Sequence, residues 1–215
     1  MLEKIGKEMK ESKKIDVSTE EKIKEAARTV FYRKGFAATR TRDIAEEADI
    51  NLALLNYYFR SKAKLFEIIM LETLSGFIKN MIVVLDNEET SLDRKVEEIA
   101  SRYIDLIIKE PEIPTFIVTE IRNNPNMLLA KLPIKQVLAH SVFLKQLKMA
   151  VENGQISEPN PLHFLMNVMG LVIFPFIGKP LLMGGSGIND SEFTMLMTER
   201  KKLIPIWVKS MMKGE

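Results

Sequence analysis

The sequence contains no cysteine. That excludes a disulfide framework, a thiolate metal site and a thiol nucleophile, and it suits a reducing cytosol. Histidine is nearly as scarce: His140 and His163 are the whole complement, too far apart in sequence for metal-ligand spacing. Neither sign of charge dominates, since 31 Lys+Arg against 29 Asp+Glu leave a net +2. A long hydrophobic run is also missing. The most apolar stretch, Phe164 to Ile177, contains Pro175 and falls short of the roughly twenty residues that cross a bilayer. It reads as a buried helix, and no membrane partner is expected. Met1 to Lys14 alternates acid and base without an apolar stretch, so no secretory signal is expected and the chain reads as cytoplasmic. With no nucleophile–base pair, metal cluster or cofactor loop in the sequence, it is read as a non-enzyme without cofactor or metal.

What is present is helical periodicity. Hydrophobic residues make up 46% and charged residues 28%, the composition of an ordinary globular chain with a sizeable core. From Thr19, Ile23, Ala26, Ala27, Val30 and Phe31 fall on one stripe of a 3.6-residue period, with Gly35 placed to stop the helix as a left-handed cap. Short helices fit Thr41 to Ala48, capped by Thr39 or Thr41, and Asn51 to Phe59. Ser61 opens a long helix that runs past Phe77. Further helices are expected over Leu92–Lys109, Ile113–Asn123, Ile134–Asn153, Pro161–Met183 and Asp190–Met212. No alternating strand pattern and no internal repeat is found. Gly184-Gly185-Ser186-Gly187 follows a helix rather than a strand and lacks a phosphate-loop lysine, so it reads as a flexible connection. The fold class is all-α.

Thr39 to Phe66 is the informative segment. Two short helices joined at Asp49-Ile50 are the geometry of a DNA-binding helix-turn-helix. Ala45 is small where its partner helix crosses, while Ile44, Ala48, Ile50 and Leu55 are placed to share a core, with Phe59. Asp49 is the turn residue that must take positive φ, which Asp tolerates better than most. The second helix then turns Asn51, Leu52, Ala53, Asn56 and Tyr57 or Tyr58 outward. Asn56 can pair with an adenine edge, and Leu52 or Ala53 can touch a thymine methyl. Thr41, Arg42, Tyr58 and Lys62 read as phosphate contacts, Lys62 at the start of the next helix. Residues 1–62 carry 14 Lys+Arg against 11 Asp+Glu and the remainder 17 against 18, an asymmetry that points the same way.

Residues 19–66 resemble the TetR/AcrR family of bacterial regulators without a gap. The match runs through Arg33-Lys34-Gly35-Phe36, Thr41-Arg42-Asp43-Ile44-Ala45, Ala48, Tyr57-Tyr58-Phe59 and Ser61-Lys62. Asp49 stands where the family usually has glycine, and Asn56 where it usually has tyrosine. The resemblance carries over Thr41, Arg42, Leu52, Ala53, Tyr58, Lys62 and Asn56 as DNA-contacting positions. It implies a repressor built from an N-terminal arm (1–17), a three-helix head (18–62) and a helical ligand-binding and dimerisation domain (63–215). The implied partners are a palindromic double-stranded operator, a hydrophobic small molecule and a second copy of the chain. Helices 161–183 and 190–212 would pair in a four-helix bundle, their methionines supplying an adaptable apolar surface. Tyr103, Phe116, His140, Phe143 and His163 are the candidates for lining a ligand pocket. The alternative is a helical small-molecule-binding protein or enzyme with a vestigial helix-turn-helix.

Overall fold

The computed structural model describes residues 2–123, 125, 139–157 and 160–212. Among these every regular element is a helix: α1 (Leu2–Ala38), α2 (Thr41–Glu47), α3 (Leu52–Phe59), α4 (Lys62–Leu85), α5 (Leu92–Lys109), α6 (Ile113–Asn123), α7 (Val142–Glu152), α8 (Pro161–Ile177), α9 (Lys179–Ser186) and α10 (Asp190–Met212). The expected helix from Ile134 is described only in part, since 134–138 lie outside these residues.

Two compact units divide the chain, Met1–Leu74 and Ser75–Glu215. The first reaches past Lys62, the boundary expected from sequence, because Leu65, Phe66, Ile69, Met70 and Leu74 of α4 are buried alongside the head's own apolar stripe. Ile23, Ala27, Val30 and Phe31 are fully covered, and the Phe31 and Phe66 rings meet edge-on with centroids 4.9 Å apart. Polar ties join α1 to α4 across the same unit: Lys24 and Arg28 pair with Glu72, and Tyr32 Oη lies 2.6 Å from Thr73 Oγ1. The segment set apart as an arm is drawn into α1, which starts at Leu2. Its residues are largely Glu, Lys, Met and Leu, all good helix formers.

In the second unit, α10 packs along α5 with opposite direction, fixed by the ion pairs Lys201–Asp105 and Lys209–Asp93. Tyr103, Ile104 and Phe143 are buried there with Phe164, Val168 and Val172 of α8 and Phe193, Met197, Ile204 and Val208 of α10. Pro161–Met183 is not one helix. The chain bends by 67° between α8 and α9, at Gly178 and two residues before Pro180, whose missing N–H interrupts the ladder. The Gly184-Gly185 pair is helical rather than a loose connection, and Gly187 (φ 73) closes α9 in the left-handed region. α4, not the stretch from Phe164, has the length and mean hydropathy (1.8) of a membrane span; seven of its apolar side chains, including Val84 and Leu85, are buried in the fold.

Candidate nucleic-acid interface

Glycine is required where α1 ends. Gly35 takes φ 71, ψ 174, a region essentially closed to side-chain-bearing residues and distinct from the left-handed cap expected. The chain that follows turns too tightly to satisfy its own carbonyls, so side chains do it. Thr39 Oγ1 donates to Gly35 O at 2.7 Å, and Lys62 Nζ donates to Phe36 O and to Thr39 O, both at 2.8 Å. The ammonium also lies 4.2 Å from the centre of the Phe36 ring. Lys62 is therefore turned inward as a clip on the α1–α2 turn, not presented outward for a phosphate. Neither Thr39 nor Thr41 caps α2. Arg40 is its N-cap residue, and Asp43 reaches back to accept the Arg40 backbone N–H at 2.9 Å. That bond, with Lys34 at 3.1 Å, holds the Asp43 carboxyl below its ordinary value.

The turn between α2 and α3 closes as expected. Ile50 N–H donates to Ala45 O and Asp49 N–H to Glu46 O, with Asp49 at φ 49, the bonding of a Schellman cap in which aspartate takes glycine's place. Ile44, Ala45, Ala48, Leu55 and Phe59 are buried, Ile50 only half so. Asn51 is the N-cap of α3, its Oδ1 accepting Leu54 N–H at 2.8 Å. Its oxygen is thus occupied and only its amide N–H groups face outward.

With its apolar face buried, α3 leaves a surface strip of Leu52 (36% exposed), Ala53, Asn56 and Tyr57 (76% exposed). The Asn56 amide makes no contact with other described residues, which leaves a donor and an acceptor side by side. Tyr58 is half-buried, its ring edge-on to Tyr57 with centroids 5.4 Å apart. Thr41 is half-buried and Arg42 fully exposed at the start of α2. Sequence reasoning passed over Arg60, also exposed, which ends α3 at φ 54. The available signal was a basic residue in the turn between two helices. Arg42 and Arg60 make no ion pair among the described residues, so cationic side chains stand at both ends of the strip.

The pocket candidates do not come together. His140 and His163 are exposed, each just outside or within the first turn of a helix on its solvent side. Tyr103, Phe116 and Phe143 are core residues. Tyr103 donates its hydroxyl to Phe77 O at 3.1 Å, and burial pushes its ionisation upward.

A short helix held by a tight turn against its neighbour, with an amide, small apolar groups and a tyrosine along its open face, is a helix-turn-helix reader of DNA. Carried on a larger all-helical chain, it defines the class of DNA-binding transcriptional regulators. Residues 23–69 match the model of the tetR family of bacterial regulatory proteins. Over 208 residues the chain is 24% identical to the "Probable HTH-type transcriptional regulator YttP" of Bacillus subtilis (strain 168), covering 92% of this chain and 95% of that one. It is 30% identical over 102 residues to the HTH-type transcriptional repressor NicS of Pseudomonas putida, covering 47% of this chain and 48% of that one. The fold is similar to that of HlyIIR, a hemolysin II transcriptional regulator, with a TM-score of 0.64 at 20% identity over 92% of this chain and 98% of the other. The chain belongs to the TetR family and is a DNA-binding transcriptional regulator.

Proposed function

We propose that the chain works as a homodimeric repressor that holds a palindromic duplex operator and is released by a small hydrophobic ligand bound in its C-terminal helical domain. It acts in the cytoplasm by binding alone, with no catalytic step. In this reading Leu52, Ala53 and Asn56 meet base edges, with the Asn51 amide and Tyr57 beside them. Thr41, Arg42 and Tyr58 meet phosphates, and Lys62 shapes the turn behind them. α4 has residues in both compact units, so a ligand that favours one setting of this helix can change operator affinity only by that preference. That NicS is named a repressor supports the sign of regulation.

The observation that carries the reading is an apolar surface shared by the two helices assigned to dimerisation. α8 exposes Leu162, Met166, Phe174 and Ile177, and α10, packed against it, exposes Met195, Leu196, Leu203 and Ile206. So many large apolar side chains on adjacent helices mark an interface, and a two-fold dimer covers them with the same surface of a second copy.

The test is selection of bound duplexes from a random pool, with light scattering on the same protein. Dimers and inverted repeats with half-sites about one helical turn apart are expected. Asn56→Ala should cost about 1–3 kcal/mol on the selected operator and relax one base position per half-site. A monomer, or sites without two-fold symmetry, would defeat the proposal.

A further inference from the structure

A cleft of about 690 Å³ opens between the start of α5, the end of α7 with the turn after it, and the last turns of α10. None of the five pocket candidates lines it. Its wall is held by a Schellman turn at Gly154 (φ 69), where Gly154 N–H donates to Val151 O and Gln155 N–H to Ala150 O at 3.0 and 2.8 Å. Leu92, Met149 and Ile156 give it apolar surface, and Met149 is largely exposed although it sits in the middle of a helix-to-turn junction.

The polar groups are not balanced. Gln146 lines the cleft and donates through Nε2 to Thr90 O at 2.8 Å, while its Oε1 is buried with no donor. Reversing the amide would set oxygen against the Thr90 oxygen, so the unpaired atom is an acceptor. Buried acceptors are normally satisfied, and one that is not calls for a partner. Charge then narrows the partner's class. Lys95 is fully buried and gives its N–H groups to Asn87 O, Thr90 O and Thr90 Oγ1, the same threonine that Gln146 holds. Its positive charge disfavours a cation nearby and has no N–H left for an anion. At the rim Lys209 is paired with Asp93 at 2.9 Å, so an anion meets a carboxylate and no free cationic donor. An uncharged donor remains.

We propose that this cleft binds an uncharged, partly apolar small molecule that donates one O–H or N–H to Gln146 Oε1 and lays its apolar body on Leu92, Met149 and Ile156. The site lies within the second compact unit and stands whether or not its occupation releases DNA.

The experiment uses the full chain and two probes of similar shape, phenol and toluene, of which only phenol carries a donor. Calorimetric titration should give one phenol per chain, bound about tenfold tighter than toluene, the range of one buried hydrogen bond made or lost. Gln146→Met should abolish the preference, and nuclear magnetic resonance should show the Gln146 side-chain amide of the unsubstituted protein shifting with phenol alone. Should Gln146→Met fail to fold, the comparison of probes on the unsubstituted protein decides by itself. Equal affinities, or a Gln146 amide that phenol leaves unmoved, would overturn the proposal. Selected operator DNA is titrated into the same samples, so intact operator binding with no phenol preference refutes the cleft and leaves the regulator reading standing.

Discussion

Arg200 Nη2 of α10 donates to the backbone carbonyl of Leu171 in α8, 2.8 Å away. Leu171 is four residues before Pro175, which has no N–H to return to that carbonyl. Arg200 thus satisfies an acceptor that a proline has orphaned, and in doing so ties together the two helices of the apolar surface. The arrangement has a cost. The guanidinium stacks on Trp207 at 5.0 Å, its Nε is buried without a partner, and burial lowers its ionisation.

The two residues should therefore be coupled energetically. Arg200→Met is expected to destabilise the second unit by about 1–3 kcal/mol, the penalty of a buried carbonyl left unmet. In a Pro175→Ala background the alanine N–H can take over the Leu171 carbonyl, so the same substitution should cost measurably less. A double-mutant cycle by chemical denaturation reads the difference. Additive effects would mean that the arginine does not serve the proline's orphan.

For Lys62 the geometry separates stability from affinity. Two charge-assisted bonds to Phe36 O and Thr39 O give Lys62→Met an expected cost of about 1.5–3 kcal/mol in head stability. Because the ammonium is directed at the α1–α2 turn, the salt dependence of operator binding should keep its slope. Loss of a true phosphate contact would lower that slope by about one. A slope reduced by that amount, with unchanged thermal stability, would restore the phosphate assignment.

The difference between these residues and the rest of the head shows what a sequence makes legible. Ile23, Ala27, Val30 and Phe31 are on one stripe because burial repeats with the helical period, and all are covered. Asp49 could be read because one turn position must take positive φ and few neighbours tolerate it. Lys62 could not, since a lysine at a helix start has the same appearance whether it reaches out or back. Its carbonyl partners lie 26 and 23 residues away in the chain. Arg200 and Leu171 are likewise 29 apart. The pocket candidates failed for a related reason: aromatic and histidine content says nothing of which side chains the packing of α5, α7 and α8 encloses. The break at Gly178 was hidden by an apolar run that continues on both sides of it.

Acid should loosen the entry to the helix-turn-helix through Asp43. Its carboxyl is held below the ordinary value of 3.8 by the Arg40 backbone N–H and then by Lys34. A carboxylate depressed in the folded state contributes stability that is complete above its unfolded value and is lost as pH falls through the folded one. The Arg40 amide should therefore keep its protection from hydrogen exchange at pH 5 and lose it well below 3.8. In Asp43→Asn, whose amide oxygen can still accept from Arg40 but does not titrate, the protection should be nearly independent of pH across that range. Acid loss of equal size in both proteins would place the titrating group elsewhere.

Gly170 offers a way to test the shared surface of α8 and α10 without disturbing the fold. It lies one turn from Met166 and from Phe174 on the exposed side of α8, and a Cβ added there would meet nothing within 4 Å. Inside one protomer, then, Gly170→Leu is sterically free, and removing a helical glycine should gain roughly 0.5–1 kcal/mol of helix stability. Against a second copy the result is opposite. A glycine in the middle of an apolar helix face allows close approach of the opposing helix, and filling it forces the helices apart along their length. Gly170→Leu should raise the thermal stability of the monomer at low concentration while shifting the dimer to monomer by at least tenfold in dissociation constant, about 1.4 kcal/mol, as read by sedimentation. Gly170→Ala should lie between the two. A leucine variant that dimerises as well as the parent would show that the second copy is bound by some other face.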